Sequence, residues 1–183
     1  MVSLIDDYAS RLNLPVQVII EAKLIAERSI VKDIALGYRP EEVAAVSIYV
    51  ACRRNKVPLS FREVVKTTRV SRVKLGNLYK RILIHLDVKM PLSSPEDYLY
   101  KRLVPLLEVK NEVVSRAKDI IEKLRNRGLA GGKNPGAVAA AALYIASLSL
   151  KQPVRISRLA KAAGVTTVTI KNVTKSLTRA LNL

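Results

Sequence analysis

Two stretches of the chain carry apolar or small residues at every helical position. Val43–Cys52 and Ala137–Ala146 have no charge on any face. A helix that is apolar all round has to be surrounded by other elements, and the many alanines in both stretches let neighbours approach closely. The flanking segments are different: their apolar residues return at three- and four-residue intervals, as in helices with one buried face. The pattern predicts two sets of five helices. The first is Leu4–Leu12, Pro15–Leu36, Pro40–Asn55, Ser60–Thr67 and Ser71–Leu86; the second is Pro95–Leu106, Lys110–Arg127, Pro135–Leu150, Arg155–Ala163 and Thr166–Leu181. Pro40 and Pro135 suit first helical turns, and Gly37 and Gly132 suit the turns ahead of them. Pro58 and Pro153 stop the third helix of each set, while Ser71 and Thr166 fit N-cap positions. Cys52, on a central helix, reads as a buried small hydrophobe.

The two sets are copies. Sliding the chain by 95 positions pairs Pro40 with Pro135 and holds register without a gap to Pro58 and Pro153, and eight of those 19 pairs are identical. The same offset matches Gly37 with Gly132, Tyr49 with Tyr144 and Asn77 with Asn172. Chance alanine pairs do not explain prolines, glycines and tyrosines matched in one frame. The division that follows is residues 1–90 and 91–183, joined near Lys89–Pro95.

The last two helices of each copy have the pattern of a helix-turn-helix. In the second copy Gly164 suits a left-handed turn, Thr166 caps the next helix, and Ile170, Val173, Leu177 and Leu181 keep inward spacing. Val168, Lys171, Asn172 and Lys175 then share the outer face. That face has the ingredients for reading a major groove: donors for base edges, an apolar atom for a thymine methyl, and no carboxylate to repel phosphate. In the first copy Leu75, Leu78 and Ile82 face inward, and Arg72, Lys74, Asn77, Lys80 and Arg81 face outward. Arg69 stands in place of the turn glycine. This face is expected to contact phosphates rather than bases, since it is basic and flexible and lacks an apolar contact residue.

Charge sharpens that picture. There are 32 Lys+Arg against 15 Asp+Glu, a formal net charge of +17, in a chain that is 49% hydrophobic. From Lys123 to Leu183 there are eleven basic residues and no acidic one. A solvated helical face ordinarily mixes signs, so a third of the chain with one sign points to a polyanion, nucleic acid first. Other classes recede. One cysteine makes neither an intramolecular disulfide nor a thiolate metal site, and one histidine, His85, is expected at a helix end rather than in catalysis. No metal or cofactor is expected, for there is no phosphate-cradling glycine loop, paired-carboxylate motif or activated nucleophile. The longest apolar run, Ala137–Leu150, falls short of the roughly 20 residues of a membrane span. The expectation is a soluble intracellular protein, not an enzyme, with no membrane partner.

Val43–Pro58, followed by Val70-Ser-Arg-Val-Lys-Leu-Gly76, resembles the first cyclin-like repeat of archaeal transcription factor B, of the general transcription factor IIB family. Pro95-Glu-Asp-Tyr98, Ala137–Ser147 and Ala163-Gly-Val-Thr-Thr-Val-Thr-Ile-Lys-Asn172 resemble its second repeat. The resemblance spans essentially all 183 residues. It implies an all-α fold of two tandem five-helix cyclin-like domains, each ending in a helix-turn-helix. It also implies an initiation factor core, acting as a monomer in the archaeal cytoplasm at the nucleoid. Such a core binds the complex of TATA-binding protein with promoter DNA and reads the upstream B recognition element. RNA polymerase is recruited mainly by a cysteine-bearing amino-terminal ribbon that this chain lacks, so the chain reads as a fragment or a variant core.

Carried over, the base-reading positions are Val168 and Lys171, with Thr166, Thr167, Thr169, Asn172 and Lys175 beside them. Arg155, Arg72 and Lys74 are further expected DNA contacts. Arg39, Arg53, Arg54, Lys56 and Arg69 are expected on the protein partner, although the basic groups of the first copy are not divided firmly between TATA-binding protein and DNA. The family has arginine where this chain has Lys171; lysine lacks the rigid two-pronged fork for guanine, which weakens or alters sequence preference. The competing reading is a cyclin-type protein-interaction module without sequence-specific DNA binding, against which the charge argues.

Overall fold

The structure is a computed structural model that describes residues 1–91, 93–129 and 131–182. The first set of helices is α1 (Val2–Arg11), α2 (Val16–Val31), α3 (Pro40–Arg54), α4 (Phe61–Thr68) and α5 (Arg72–His85). The second begins with α6 (Pro95–Tyr98), which runs through a π-helical turn at Leu99–Leu103 into α7 (Val104–Leu107). It continues with α8 (Asn111–Asn126), α9 (Pro135–Ser149), α10 (Ile156–Ala163) and α11 (Thr167–Leu181). No strand occurs among the described residues, and the fold is all-α. Contacts gather into two compact units, Met1–Leu92 and Ser93–Leu183. Residue 92, within the joint read at Lys89–Pro95, lies outside the described residues.

The duplication is written in the backbone as well as in the side chains. Helices α2 and α8, α3 and α9, and α4 and α10 start and stop 95 residues apart. The left-handed residues among those described form six pairs at the same offset: Asn13/Glu108, Asp33/Gly128, Gly37/Gly132, Lys56/Lys151, Arg69/Gly164 and Asp87/Asn182. Left-handed backbone disfavours side chains with a Cβ, so keeping it where the residue type changed shows that the turns are imposed by packing.

Each unit is built around its charge-poor helix. Every residue of α3 from Glu42 to Cys52 is buried, and α1, α2, α4 and α5 all pack on it. In α9 the run Gly136–Leu143 is buried, with α6, the π turn, α8, α10 and α11 around it. Side chains such as Ile48 and Leu143 are removed from water completely, each stabilising the fold by about 1.5–3 kcal/mol. Cys52 is buried among them.

Three expectations are corrected in detail. The helix read as Pro15–Leu36 stops at Val31, because Asp33 turns left-handed and folds Ile34 and Ala35 back into the core. Those two buried residues extend the apolar periodicity past the true helix end. The helix read as Pro95–Leu106 is interrupted by the π turn; Pro105, which has no amide proton, stands where regular bonding resumes. Ser71 occupies its N-cap position without making a side-chain capping bond.

The two units hold their last helices by different means. In the first, Tyr49, Phe61 and Tyr79 form an edge-to-face triad, with centroids 4.9 Å apart for Tyr49–Phe61 and 5.3 Å for Tyr49–Tyr79. This locks α4 and α5 onto α3. At the other end of α3, the buried carboxylate of Glu42 accepts from the Arg39 amide at 3.0 Å and from Arg39 Nε at 3.2 Å. It also pairs with Lys74 Nζ of α5 at 3.0 Å. Burial alone would raise the Glu42 carboxyl above its ordinary range; the Arg39 amide, Lys74 and the Arg39 side chain outweigh burial and hold it below.

In the second unit the clamp is steric and main-chain. A Cβ on Gly136 would lie 2.8 Å and 2.9 Å from the Tyr98 ring and 3.1 Å from the Ala163 carbonyl oxygen. Arg102 donates to the Ala162 carbonyl at the end of α10. Arg127 donates at 2.9 Å to the Ala180 carbonyl near the end of α11.

Three variants test how these helices are held. Gly136→Ala should destabilise the second unit by about 1–3 kcal/mol in denaturant titrations. Gly76→Ala, in α5 with open space around it, should be neutral or stabilising by up to about 1 kcal/mol. Because the folded carboxyl of Glu42 titrates below its ordinary value of 4.5, its stabilising contribution is present above that pH and is lost as pH falls through the folded value. Glu42→Gln should cost about 1–3 kcal/mol at neutral pH and flatten the acid limb of the stability curve. Urea unfolding followed from neutral pH downward checks both effects.

Candidate nucleic-acid interface

In the second unit α10 ends at Gly164, whose φ of +67° turns the chain left-handed, and Thr166 starts α11. The Thr166 hydroxyl accepts from the Thr169 amide at 3.0 Å and contacts the Thr169 hydroxyl at 2.8 Å. Two of the threonines expected beside the base-reading positions therefore form the cap that fixes the helix start. Ile170, Leu177 and Leu181 are buried and Val173 is half-buried, which anchors the inner face of α11. Its outer face presents Val168, Lys171, Asn172 and Lys175 to solvent, with Thr167 half-buried at the edge. Val168 is 62% exposed.

The surroundings of that face are cationic without compensation. Arg155, Arg158, Lys161, Lys171, Lys175 and Arg179 are all exposed, and among the described residues none of the six makes an ion pair. Arg155 sits at the start of α10 and, with Lys110 and Arg158, lines a cleft of about 420 Å³ that also contains Glu108 and Gln152. Positive potential is therefore concentrated on α10 and α11, which carry no carboxylate of their own, and Glu108 is the one acidic residue lining the cleft at Arg155.

In the first unit the same backbone recurs with another surface. Arg69 takes the turn conformation at φ +57° despite its side chain, in the place of Gly164. Leu75, Leu78 and Ile82 are fully buried, while Arg72, Asn77 and Lys80 are exposed. Arg81 is half-buried, its guanidinium 5.8 Å from the centre of the Tyr38 ring. Lys74, expected on DNA, has its ammonium 3.0 Å from the buried carboxylate of Glu42. The face also has an apolar contact residue after all, Val73, which is 70% exposed.

The residues expected on a protein partner are scattered around the first unit and partly committed within it. Arg39 is ion-paired with Glu42, Arg54 Nε lies 2.9 Å from Glu21, and Arg53 donates to the Tyr49 hydroxyl at 3.5 Å. Lys56 and Arg69 are exposed at left-handed turns. His85 is the exposed last residue of α5. Among the described residues no group of three or more His, Cys, Asp or Glu is placed to hold a metal ion, and no helix is long and apolar enough to cross a membrane. Glu42 and Val73 are the residues that sequence reasoning missed. Glu42 could have been found as the acidic residue that directly precedes the charge-free run Val43–Cys52, and Val73 by carrying Val168 back 95 positions.

Comparison with known proteins agrees with this architecture. A family model for the transcription factor TFIIB repeat matches residues 2–85 and again 88–180. The chain is 40% identical over 172 residues to transcription initiation factor IIB of Saccharolobus shibatae, covering 94% of this chain and 56% of that protein. It is 39% identical over 180 residues to the factor of the same name in Methanococcus maripaludis, covering 98% and 52%. Identity to transcription initiation factor IIB 2 of Thermoplasma acidophilum is 31% over 180 residues, covering 98% and 58%. The chain thus spans about half the length of these relatives. Two repeat matches in tandem, on two units whose helices and turns repeat at one offset, place it plainly: the chain belongs to the transcription factor TFIIB family.

Proposed function

We propose that the chain is the promoter-binding core of a transcription initiation factor, and that it acts by binding rather than by catalysis. Its second helix-turn-helix docks α11 in the major groove upstream of a TATA box, at the B recognition element. Val168 and Lys171 read base edges, Asn172 and Lys175 lie alongside, and Arg155 meets the phosphate backbone near the start of α10. The TATA-binding protein, itself on the promoter, is the protein partner of the first unit, with Arg69 and Lys56 as exposed contacts. RNA polymerase is the downstream partner of the assembled complex. The cell compartment is the cytoplasm, at the nucleoid.

One observation carries the reading: an apolar and amide-bearing outer face on α11, set among six exposed cations that have no acidic partner. A helix hairpin kept only for solubility would mix signs on that surface. A cyclin-type module that only grips another protein has no use for a carboxylate-free recognition helix. Phosphate contacts position such a helix and base contacts specify the site, and both kinds of group are present.

Lys171→Ala is the discriminating variant. It should weaken binding to a promoter bearing the upstream element by roughly tenfold, equivalent to about 1.4 kcal/mol, against about twofold on a scrambled element. Electrophoretic titrations with TATA-binding protein present measure both. Equal losses on the two promoters would reduce Lys171 to a phosphate contact and remove the base-reading claim.

A further inference from the structure

The first unit carries a surface that the fold itself does not require. Helices α2 and α8 start and stop 95 residues apart, and their inner faces match: Val18 with Val113, Ala22 with Ala117 and Ile25 with Ile120, all buried. Their outer faces do not match. Val16, Ile20, Leu24 and Val31, 47–76% exposed, stand where α8 has Asn111, Ser115, Asp119 and Asn126. A single exposed aliphatic residue says little. Four along one helical face, each polar in the other copy, form a stripe that packing within the unit does not use. Along it runs a groove of about 380 Å³, lined by Ile20, Leu24 and Ile25 together with Glu21, Arg28 and Arg54.

We propose that this face is an interface between two copies of the chain, with α2 packed antiparallel on α2 about a two-fold axis near Leu24. The stripe is self-complementary in that register. Leu24 meets Leu24 of the second copy on the axis, while Val16 meets Val31 and Glu21 meets Arg28, these two contacts each occurring twice as two-fold symmetry requires. Glu21 and Arg28 lie on one edge of the helix, two turns apart, so an antiparallel copy brings opposite charges together there. Arg54, 2.9 Å from Glu21, and Asn55 hold that carboxylate in place; among the described residues Arg28 has no ion pair. Charge selects the occupant. Glu21 and Glu27 balance Lys23 and Arg28, so α2 is neutral in a chain of net charge +17. A polyanion or an acidic protein is drawn elsewhere, whereas two copies can meet on this face without opposing like charges. The monomer that the family resemblance implies would leave the stripe in water.

The interface stands apart from the reading of α11 and is tested without DNA. The experiment is sedimentation equilibrium of the full chain, freed of nucleic acid, at about 0.5 M salt, where repulsion between two cationic copies is screened. The expected result is a dimer with a dissociation constant on the order of 100 μM or tighter. Leu24→Asp carries the residue type of Asp119 into α2 at an exposed position and should raise that constant about tenfold or more. Asp119→Asn, at the matching position of α8, should leave it unchanged. Glu21→Lys and Arg28→Glu should each weaken self-association. Mixing these two variant chains should restore it to about the wild-type level, because every edge contact of the mixed pair again joins opposite charges; a folding defect would give no such rescue. A chain that stays monomeric up to about 1 mM, a dimer indifferent to Leu24→Asp, or a mixture that fails to associate would overturn the proposal. So would capture of another protein's helix by a chain that never pairs with itself, which would assign the face to that partner.

Discussion

A helix with nothing polar to show water must be covered on every side, and that constraint organises both units. Helices α3 and α9 consume the inner faces of all their neighbours. The last two helices of each unit also pack on each other. Their outer faces are available for a ligand because their inner faces are already fixed. The left-handed pairs at the 95-residue offset follow from the same demand, since short helices close around a central one only if the chain reverses at set points. Arg69 accepting a backbone conformation suited to Gly164 shows that this demand outweighs local preference.

On this shared backbone the two units stabilise their helix-turn-helix elements with different chemistry. The first uses three aromatic rings and a buried carboxylate gripped by Arg39 and Lys74. The second has Tyr144, Ile156 and Thr174 where the aromatic triad would be, and Ala137 where Glu42 would be. It relies instead on the close approach of Gly136 to Tyr98 and on arginine bonds to the Ala162 and Ala180 carbonyls. Both solutions hold a short helix pair rigidly against a central helix, which is what a base-reading surface requires. Family membership and the cationic second unit are consistent with the proposed reading, in which the fold supplies the rigid frame and the charge would supply attraction to a polyanion.

Much of this was legible in the residues. The charge-free runs identified the central helices, the prolines set their starts, and Gly37, Gly132 and Gly164 marked turns that are left-handed in the structure. The inward stripe of α11 and its exposed face were readable from spacing alone. What escaped depended on tertiary context. Ile34 and Ala35 kept helical periodicity while lying in a turn, because core packing rewards buried position and not helical geometry. Lys74 looked like any outward cation until α3 brought Glu42 beneath it. Val73 lies among the basic residues Arg72 and Lys74, and its match to Val168 at the 95-residue offset is the signal that places it on the outer face, where it is exposed.

The central claim is that the cationic half of the second unit lies against the phosphates of a promoter. The most direct test is the salt dependence of binding to promoter DNA in the presence of TATA-binding protein. Each neutralised phosphate contributes about −0.9 to the slope of log K against log salt, so contacts by the exposed cations of α10 and α11 predict a slope of roughly −4 to −6. A slope near zero would contradict the account.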